Sequence, residues 1–584
     1  MSKDNILGIS LVGDSGVALF QDGELRLAVN EERFTRIKLD GSYPEKSIDW
    51  CLQEAKLFSQ DIDLICFGFT NGMKQGKFVQ DMTNRMQSYS GDKEAMKIIH
   101  ERVSTEAEID RKIKNKFIKR TNNIFPGIPI YFCHHHESHQ ACALMSSPLR
   151  DTLILTSDGR GDFLSITLSE ARDGVLTKLL YQNYSWESLG YFYGRITHLC
   201  GFRSQRHEGK ITGLAAKGDP EVAISLMKKM IDFDGSHVVA YPGDYYRPFF
   251  SNYSKRLREE ASKFSREDLA AAAQKHLENM VSGLVSKYTR QTNLKNICLA
   301  GGVFANVKLN QRISDLAEID DVFIYPNMGD GGLCTGSVYH YFMTREKRKS
   351  RPLNSMYLGP AINNLELEQV LKKEGLEVKK YENVNKIVIE ILSSEKTIGL
   401  VQGRAEFGPR ALGNRSILGA CSSKNFCDSI NKRLGRTEFM PFAPAIASDL
   451  APLCLKNFNQ HFSARHMTIT YNVTEEFMKN SPAVVHDDGT VRPQIVYKKD
   501  NPYFYSLLMD WFKITGGLCL INTSFNLHED PIVTTVNDVV LTFMNNAVDY
   551  LLFPPYLCKY RQPIIKNYLK KIENTEKQKE INLS

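Results

Sequence analysis

The stretch CHHHESHQACA (133–143) carries the residue types best suited to binding a metal ion. If it is helical, His135 and His139 lie one turn apart on one face, where two imidazoles can share an ion. In zinc proteases a Glu that serves as general base follows the first His directly, whereas His136 follows His135 here. The pattern therefore argues against a zinc protease, and further ligands are needed for a site.

Two acidic turns that follow predicted strands supply such ligands. The β-branched run 152–156 leads to Asp158, and the run 322–325 leads into a glycine-rich turn around Asp330. Two nitrogen and two oxygen donors suit Fe²⁺, which we rank first, or Mn²⁺ or Zn²⁺. The sequence thus predicts a divalent metal site formed by His135, His139, Asp158 and Asp330.

Glycine turns recur after the strands predicted in the first 345 residues. The turns at Asp14 and Asp158 suggest two hairpins that face one polyphosphate, as in actin-like ATPase folds. A strand that runs into glycines at a helix start lets a base or phosphate approach the backbone, aided by the helix dipole. The candidate nucleotide-binding residues are Gly159, Lys210, Gly213, Gly301, Gly302, Asn306 and Gly329. For the basic segment 30–38, a solvated loop and an anion site both stay open.

A second cluster of candidates lies in VQGRAEFGPRALGNRS (401–416), where arginines alternate with glycines. Guanidinium groups that project from a tight backbone suit bidentate binding of phosphate or carboxylate. Further basic, amide and hydroxyl side chains occur at later positions. The predicted anion pocket comprises Arg404, Arg410, Arg415, Arg436, Arg492, Asn522 and Ser524.

Length and composition indicate a multidomain globular protein. The 584 residues are 42% hydrophobic and 24% charged, and no apolar run is long enough for a membrane span or a signal peptide. We expect a cytoplasmic protein whose 12 Cys are reduced core thiols. A net charge of +7 suits anionic substrates and does not call for nucleic acid. We expect domains at 1–345 and 356–565, a linker at 346–355 and a charged tail at 566–584.

Taken together, the motifs resemble the nodulation-type and antibiotic-type O-carbamoyltransferases. HHHESH, SDGRGD, EGKITGLAAKG, LAGGVFAN and MGDGG are similar to the metal domain of that family, and EFGPRALGNRS, RTEFMPFAP, DGTVRPQ and NTSFN to its C-terminal domain. The resemblance implies an α/β and α+β protein, with an actin-like (ASKHA) ATP and metal domain followed by a YrdC-like α/β domain.

The resemblance also implies a two-step reaction. Carbamoyl phosphate and ATP, with Mg²⁺, would give carbamoyl-adenylate and pyrophosphate in the second domain. The first domain would then transfer the carbamoyl group to a hydroxyl of a sugar or natural product and release AMP. The acceptor stays open, as does a homodimer.

One position departs from the family pattern, because Gly13 stands where a His that could act as general base is usual. Asp14 and His136 are alternative bases, and Lys38 is expected to offset charge, so these three are the catalytic candidates. Two other functions stay open: a tRNA carbamoyl- or threonylcarbamoyl-modifying enzyme, and a non-catalytic actin-like ATP-binding protein.

Overall fold

The computed structural model describes residues 4–70, 72, 76–248, 254–435, 441–458 and 462–560. Its strands are β1 (Asn5–Ser10), β2 (Gly16–Gln21), β3 (Glu24–Asn30), β4 (Leu64–Phe67), β5 (Ile130–Phe132), β6 (Thr152–Gly161), β7 (Leu164–Arg172), β8 (Val175–Tyr184), β9 (Ile231–Phe233), β10 (Val238–Ala240), β11 (Asn296–Ala300), β12 (Asp321–Ile324), β13 (Val378–Lys380), β14 (Ile398–Val401), β15 (Arg415–Gly419), β16 (Ala443–Ala447), β17 (Tyr471–Asn472), β18 (Thr490–Val491), β19 (Gln494–Val496), β20 (Leu520–Ser524), β21 (Tyr550–Phe553) and β22 (Tyr556–Lys559).

Helices connect and cover these strands, which makes the protein a mixed α/β structure. They are α1 (Glu32–Thr35), α2 (Glu45–Ala55), α3 (Lys77–Gln87), α4 (Lys93–Ile124), α5 (His135–Met145), α6 (Leu189–Leu199), α7 (Glu208–Ala215), α8 (Pro220–Lys228), α9 (Lys255–Ala261), α10 (Arg266–Thr292), α11 (Val307–Ser314), α12 (Leu333–Thr344), α13 (Asn364–Lys373), α14 (Val384–Ser393), α15 (Lys424–Arg433), α16 (Ala451–Cys454), α17 (Glu475–Asn480), α18 (Pro502–Thr515) and α19 (Val536–Met544).

The first half contains two five-stranded sheets with one shared topology. The first sheet has the order β3-β2-β1-β4-β5, and β1 is antiparallel to β2 but parallel to β4. The second has the order β8-β7-β6-β11-β12, and β6 is antiparallel to β7 but parallel to β11. The turn that follows β1 and the end of β6, where the pairing with β7 becomes irregular between Ser157 and Gly161, therefore occupy equivalent places, and they carry Asp14 and Asp158.

Two helices lie between these sheets. α5 follows β5 and α12 follows β12, so they too are equivalent, and they pack against each other. A Cβ on Gly336 of α12 would overlap the backbone oxygen of Ser138 in α5, so the two helices approach closely. Almost every residue of α5 is buried. This close packing fixes the histidine helix between the two sheets.

The second half is built on one eight-stranded sheet, β13-β22-β21-β14-β15-β20-β16-β19. Its core is continuous with that of the first half, because one cluster of buried apolar residues includes members of both. The short helix Phe462–His466 caps the second sheet, since Ser463 Oγ accepts from Ile324 N (2.9 Å) and donates to Val322 O (3.0 Å). A YrdC-like fold for this half stays a prediction.

The chain between α12 and α13 contacts both halves rather than spanning open solvent. Arg351 N and Leu353 N donate to Met145 O and Ser146 O, and Gly359 N donates to Ala405 O. All twelve Cys are buried and free, which confirms the prediction of core thiols. Within the described ranges, no helix has both the length and the apolar character that a membrane span requires.

Candidate metal centre and anion pocket

Four side chains from a helix, a strand and a turn converge on one point. α5 supplies His135 and His139, β6 supplies Asp158, and the turn after β12 supplies Asp330. The two Nε2 atoms are 3.1 Å apart, and Asp158 Oδ2 lies 3.2 Å from Nε2 of His139 and 3.6 Å from that of His135. Asp330 Oδ1 lies 3.6 Å from both imidazole nitrogens. All four predicted ligands therefore face one another.

The spacing of these donors fits a divalent cation. A tetrahedral site with bonds of about 2.1 Å has donor–donor distances of about 3.4 Å, close to those of this group. Asp330 Oδ1 is buried and accepts no hydrogen bond from the described residues, which leaves it available as a ligand. The group could hold a metal ion. Its mixed nitrogen and oxygen donors are compatible with several divalent metals.

The electrostatics of the group favour a positive charge at its centre. Burial alone would lower the pKa of His139, but Asp158 and Asp330 outweigh burial and raise it to about 9. Burial acts to raise the pKa of Asp158, yet hydrogen bonds from the two imidazoles hold it well below its usual range. Burial and the charge of Asp158 raise the pKa of Asp330. A proton on His139 or a bound cation supplies the charge, so metal binding should release protons.

Glycines surround the group because side chains would not fit. A Cβ on Gly161 would overlap the ring of His135, and one on Gly331 would overlap Asp14 Oδ2. A Cβ on Gly302 would lie 3.1 Å from Asp158 Oδ1, and one on Gly301, at φ +102°, would overlap Ser157 O. The glycine turns after β6, β11 and β12 thus close tightly around the ligands.

The three catalytic candidates lie in different surroundings. Asp14 lies beside Gly331, and its buried Oδ1 has no hydrogen-bond partner among the described residues. Burial, then the charge of Glu32, raises its pKa well above the usual range. Lys38 lies near Glu529 of the second half. Burial acts to raise the pKa of that carboxyl, but Arg206 and, to a lesser extent, Lys38 lower it. Asp14 lies near the metal group, since the charge of Asp330 also acts to raise its pKa.

His136 lies beside His135 and His139, with ring centroids 5.3 and 6.1 Å from theirs, and its Nδ1 is directed at the second sheet. Its Nδ1 lies 2.7 Å from Thr156 Oγ1, which lies 2.6 Å from Thr167 Oγ1. Gln140, one turn along α5, donates to Thr167 Oγ1 (2.7 Å). Burial holds the pKa of His136 well below its usual range, so it is neutral. These bonds fix the rotation of α5 about its axis, which directs His135 and His139 at the two carboxylates.

The predicted nucleotide-binding residues lie in three places. Gly159, Gly301, Gly302 and Gly329 lie in the turns around the metal ligands, and a Cβ on Gly329 would meet nothing within 4 Å. Lys210 and Gly213 lie in α7. Asn306 caps α11 and donates to Gln274 Oε1 (2.8 Å), so its amide already has protein partners.

In the second half, Arg410 has the properties expected of an anion ligand. It lies in the loop between β14 and β15. Burial lowers its pKa to about 10, so it stays charged at neutral pH. No hydrogen bond or ion pair within the described part of the chain engages it, and its Nε is buried without a partner. Asn522 on β20 reaches the same loop and donates to Ala411 O (3.2 Å).

Arg415, another predicted pocket residue, differs from Arg410 because its guanidinium already has protein partners. It is fully buried, and its two Nη atoms donate to four backbone carbonyls, of Gln402 (2.7 Å), Asn414 (2.8 Å), Pro360 (2.9 Å) and Gly403 (3.1 Å). Because both Nη groups donate to backbone carbonyls, this guanidinium supports the loop and cannot bind a ligand through its two Nη groups. The reason is its place on β15, where the side chain points into the loop it follows.

The other predicted pocket residues are more dispersed. Arg404 donates to Gly359 O (3.1 Å) and pairs with Glu54 of α2 (2.6 Å), so it joins the two halves near the surface. Arg492 and Ser524 both have interaction partners. Arg436 lies outside the described residues.

Two buried carboxylates that organise these sites were not predicted. Glu406 Oε1 accepts from the backbone N–H groups of Leu412 (2.7 Å), Asn414 (2.8 Å) and Arg415 (3.2 Å), and so shapes the arginine loop. Asp162 Oδ2 accepts from His135 N (2.9 Å) at the start of α5, and burial raises its pKa to about 7. The sequence signal for both residues was an acidic side chain within a glycine-rich motif, Glu406 in EFGPRALGNRS and Asp162 in SDGRGD.

A buried ionic network behind the second acidic turn was also missed. Arg160 pairs with Asp110 (2.7 Å) and Glu106 (3.4 Å) of α4, and Glu106 accepts from Phe163 N (2.9 Å). These contacts tie α4 to the turn that holds Asp158. The long basic helix gave no sequence signal for this role, because its acids are spread among many exposed charges.

Comparisons with known proteins place both halves of the chain in one family. The family description "Carbamoyltransferase N-terminus" matches residues 5–338, and "Carbamoyltransferase C-terminus" matches residues 389–560. An uncharacterized protein of Methanocaldococcus jannaschii is 32% identical over 567 residues, which are 94% of this chain and 99% of that protein. Nodulation protein NolNO of Sinorhizobium fredii is 31% identical over 560 residues, 94% of this chain and 79% of that protein.

Likeness to solved structures is more distant. HypF of T. kodakarensis is 12% identical, with a TM-score of 0.32 over 59% of this chain and 48% of that one. Full-length HypF in its phosphate- and nucleotide-bound form is 14% identical, with a TM-score of 0.31 over 58% and 56%. TM-scores this low do not establish a common fold. The family matches and the nearly full-length relatives do establish membership, and the chain therefore belongs to the carbamoyltransferase family of transferase enzymes.

Proposed function

We propose that this enzyme is an ATP-dependent O-carbamoyltransferase with two chemical steps, one in each half. The observation that carries this proposal is the pairing of two unlike sites. The first half holds a buried two-His, two-Asp group suited to a cation, and the second half holds the Arg410 guanidinium, which has no partner among the described residues and is suited to an anion. An actin-like first half, a YrdC-like second half and the boundaries 1–345 and 356–565 belong to the same proposal.

The first step activates the carbamoyl group in the second half. The phosphoryl group of carbamoyl phosphate must leave before a carbamoyl oxygen can bond to the α-phosphorus of ATP. Carbamoyl phosphate, water and ATP, with Mg²⁺, thus give carbamoyl-adenylate, orthophosphate and pyrophosphate. Arg410 would bind the phosphate of the donor, and Asn522 and Glu406 would hold the loop that carries it.

The second step transfers the carbamoyl group in the first half. The glycine turns at Gly159, Gly301 and Gly329 would receive the adenylate, because they allow a phosphate close to the backbone. His135, His139, Asp158 and Asp330 would hold a divalent cation, which supplies Lewis acidity toward a phosphate or carbamoyl oxygen. The acceptor oxygen forms a bond to the carbamoyl carbon, and AMP leaves.

The acceptor must also lose a proton in this step. Asp14 is the candidate acceptor of that proton, because its buried Oδ1 has no hydrogen-bond partner within the described ranges and Gly13 beside it leaves the space without a side chain. His136 is less suited to this role, because burial holds its pKa well below its usual range, which makes it a weak base, and Thr156 engages its Nδ1.

The test measures both steps separately. Purified protein, carbamoyl phosphate, ATP and Mg²⁺, supplemented in turn with Fe²⁺, Mn²⁺ or Zn²⁺, should release pyrophosphate and orthophosphate in equal amounts. Hydroxyl-bearing saccharides and natural products are then screened by mass spectrometry for the addition of about 43 Da that a carbamoyl group brings. Absence of pyrophosphate under every metal condition would disprove adenylate formation.

Gly13 supports a second candidate, a nucleotide-binding member of the family that does not transfer. Glycine at position 13 has no side chain, whereas the resemblance leads us to expect a histidine beside the metal group. Under this alternative the protein binds ATP and metal, and no substrate combination gives turnover. Release of AMP that depends on an added acceptor would exclude it.

A further inference from the structure

Residues 31–38 belong to the basic segment 30–38, whose role the sequence left open, and they contact the second half through Arg33 and Arg36. Arg33 Nη2 donates to Gly408 O (2.6 Å). Arg36 donates through Nη1 to Ile532 O (2.9 Å) and through Nη2 to Pro531 O (2.5 Å). Both guanidinium groups therefore end on backbone carbonyls of the other half. The segment binds protein rather than a free anion.

The Arg33 contact is an interior one. The residue is 3% exposed, and its nearest carboxylate, Glu32, is 3.6 Å from Nε. A buried guanidinium is costly unless hydrogen bonds compensate it, and such bonds to a charged group are stronger than neutral ones. The Gly408 carbonyl provides that compensation. The interaction thus constrains both partners more than a surface ion pair would.

Gly408 is constrained from its other side as well. Its φ of +116° favours glycine, and a Cβ there would lie 3.3 Å from Cβ of Asn327, which belongs to the first half. Gly408 is thus held between Arg33 and Asn327. Arg410 follows two residues later and has no partner of its own within the described ranges. The direction of its guanidinium therefore depends on the backbone that Gly408 fixes.

The segment that bears Arg33 is itself anchored firmly in the first half. Glu31 accepts from Ser47 Oγ (2.6 Å), Ser47 N (2.8 Å) and Lys46 N (3.1 Å) at the start of α2. Asn30, just before it, donates to Gly331 O (3.4 Å) in the turn of Asp330. One short segment thus contacts the metal turn and the arginine loop together.

We infer that Arg33, a residue of the first half, is a positioning residue for the anion pocket of the second half, where it holds Gly408 so that Arg410 points at the donor phosphate. The inference rests on the proposed function. It assigns control of carbamoyl phosphate affinity to a side chain more than 370 positions away in sequence from the pocket loop.

The test compares Arg33→Met with the wild-type enzyme. Pyrophosphate release is followed as a function of carbamoyl phosphate concentration, and carbamoyl phosphate alone is titrated into the protein by calorimetry. Arg33→Met should raise both the KM and the Kd for carbamoyl phosphate about tenfold, since one hydrogen bond from a charged group is lost. Its kcat and its KM for ATP should change less than twofold. Arg33→Lys, which keeps a donor and the charge, should recover part of the affinity.

Thr470→Val is the matched control. Thr470 is also buried between the halves and donates to Gln311 Oε1 (2.8 Å) and Val307 O (3.2 Å), and its side-chain hydrogen bonds among the described residues do not involve the arginine loop or residues 31–38. This variant should keep the wild-type KM for carbamoyl phosphate. A KM that rises equally in Thr470→Val would mean that general loosening of the interface is responsible, and would overturn the assignment to Arg33.

Further outcomes separate this inference from the proposed function. A wild-type protein that binds carbamoyl phosphate but releases no pyrophosphate refutes the function, and the calorimetric comparison still tests Arg33. Unchanged KM and Kd in Arg33→Met refute the inference alone. If Arg33→Met does not fold, Arg33→Gln decides, because its uncharged side chain is too short to reach Gly408 O, and wild-type affinity in that variant overturns the inference. A wild-type protein that does not bind carbamoyl phosphate refutes both.

Discussion

A side chain on Gly13 would place its Cβ 3.2 Å from Oδ2 of Asp330. The position at which the family resemblance leads one to expect a histidine is thus directly at the candidate metal centre. Gly13 has a φ of +84°, in the left-handed region that favours glycine, and Val12 before it has a φ of +72°. The backbone at position 13 therefore adopts a conformation in which a residue with a side chain would be strained.

Gly13→Ala should weaken metal binding several-fold and destabilise the protein by about 1 kcal/mol, because the Cβ crowds a ligand and the positive φ penalises alanine. Metal titration by calorimetry and thermal unfolding measure the two effects. Gly329→Ala is the control, since its φ is −81° and a Cβ there meets nothing within 4 Å. Equal losses of metal affinity and of stability in Gly13→Ala and Gly329→Ala would contradict the explanation that a Cβ at position 13 crowds Asp330.

His139→Ala should lower divalent metal affinity on the order of 100-fold or more, because it removes one of four donors. Pyrophosphate release in the second half should continue, while transfer to an acceptor stops. Metal content by atomic absorption and the two product assays check this. Equal loss of both steps would show that the halves do not divide the chemistry as proposed.

Arg410→Gln should raise the KM for carbamoyl phosphate at least tenfold and leave the melting temperature near that of the wild type. Arg410 makes no bond to the described protein, so its removal costs no structural interaction. Initial-rate kinetics and calorimetric melting provide the two values. A large drop in melting temperature would show that this guanidinium supports the fold.

Arg415→Met should behave in the opposite way and destabilise the protein by about 3 kcal/mol or more. The substitution leaves four buried backbone carbonyls without their donor, and each unsatisfied group costs about 1–3 kcal/mol. Thermal unfolding and limited proteolysis of the loop 402–414 report the loss. A stable variant with weakened carbamoyl phosphate binding would restore Arg415 to the ligand set.

Acid should destabilise the second half through His466. Burial, aided by the charge of Arg465, lowers the pKa of His466 to about 3, below its ordinary value of about 6.5. The unfolded chain then takes up a proton that the folded chain refuses, so this stability is present above pH 6.5 and is lost as pH falls toward 3. Between pH 6.5 and 4.5 the loss is about 2 kcal/mol.

The variant His466→Phe isolates this contribution, since phenylalanine keeps the packing against Phe462. Urea unfolding at several pH values should show a smaller loss of stability in the variant than in the wild type. Parallel pH profiles would mean that carboxylates alone account for the acid sensitivity.

The metal centre could be predicted because helix and strand periodicity constrain where side chains point. The spacing of His135 and His139 and the positions of Asp158 and Asp330 after strands were sufficient, although 195 residues separate the first ligand from the last. The direction of His136 could not be predicted in this way. It depends on Thr156 and Thr167 of neighbouring strands, which only the packed structure brings to α5.

The arginines show a second limit of sequence reasoning. Arg410 and Arg415 have the same chemistry and lie five residues apart in one motif, yet only the latter donates to four carbonyls. The difference follows from the path of the loop, which Glu406 and the positive φ of Gly408 and Gly413 determine. The strand and turn pattern was visible in the sequence, but the order of the eight-stranded sheet and the contacts of Arg33 depend on long-range pairing.

The duplicated sheets of the first half share the ligands of one ion. His135 and His139 lie on α5, which follows the first sheet, whereas Asp158 lies on β6 of the second sheet and Asp330 follows β12 of the same sheet. Neither repeat alone could bind the cation with more than two side chains. A bound metal would thus act as a cross-link within the duplicated unit, and its dissociation constant would also measure how firmly the two repeats are apposed.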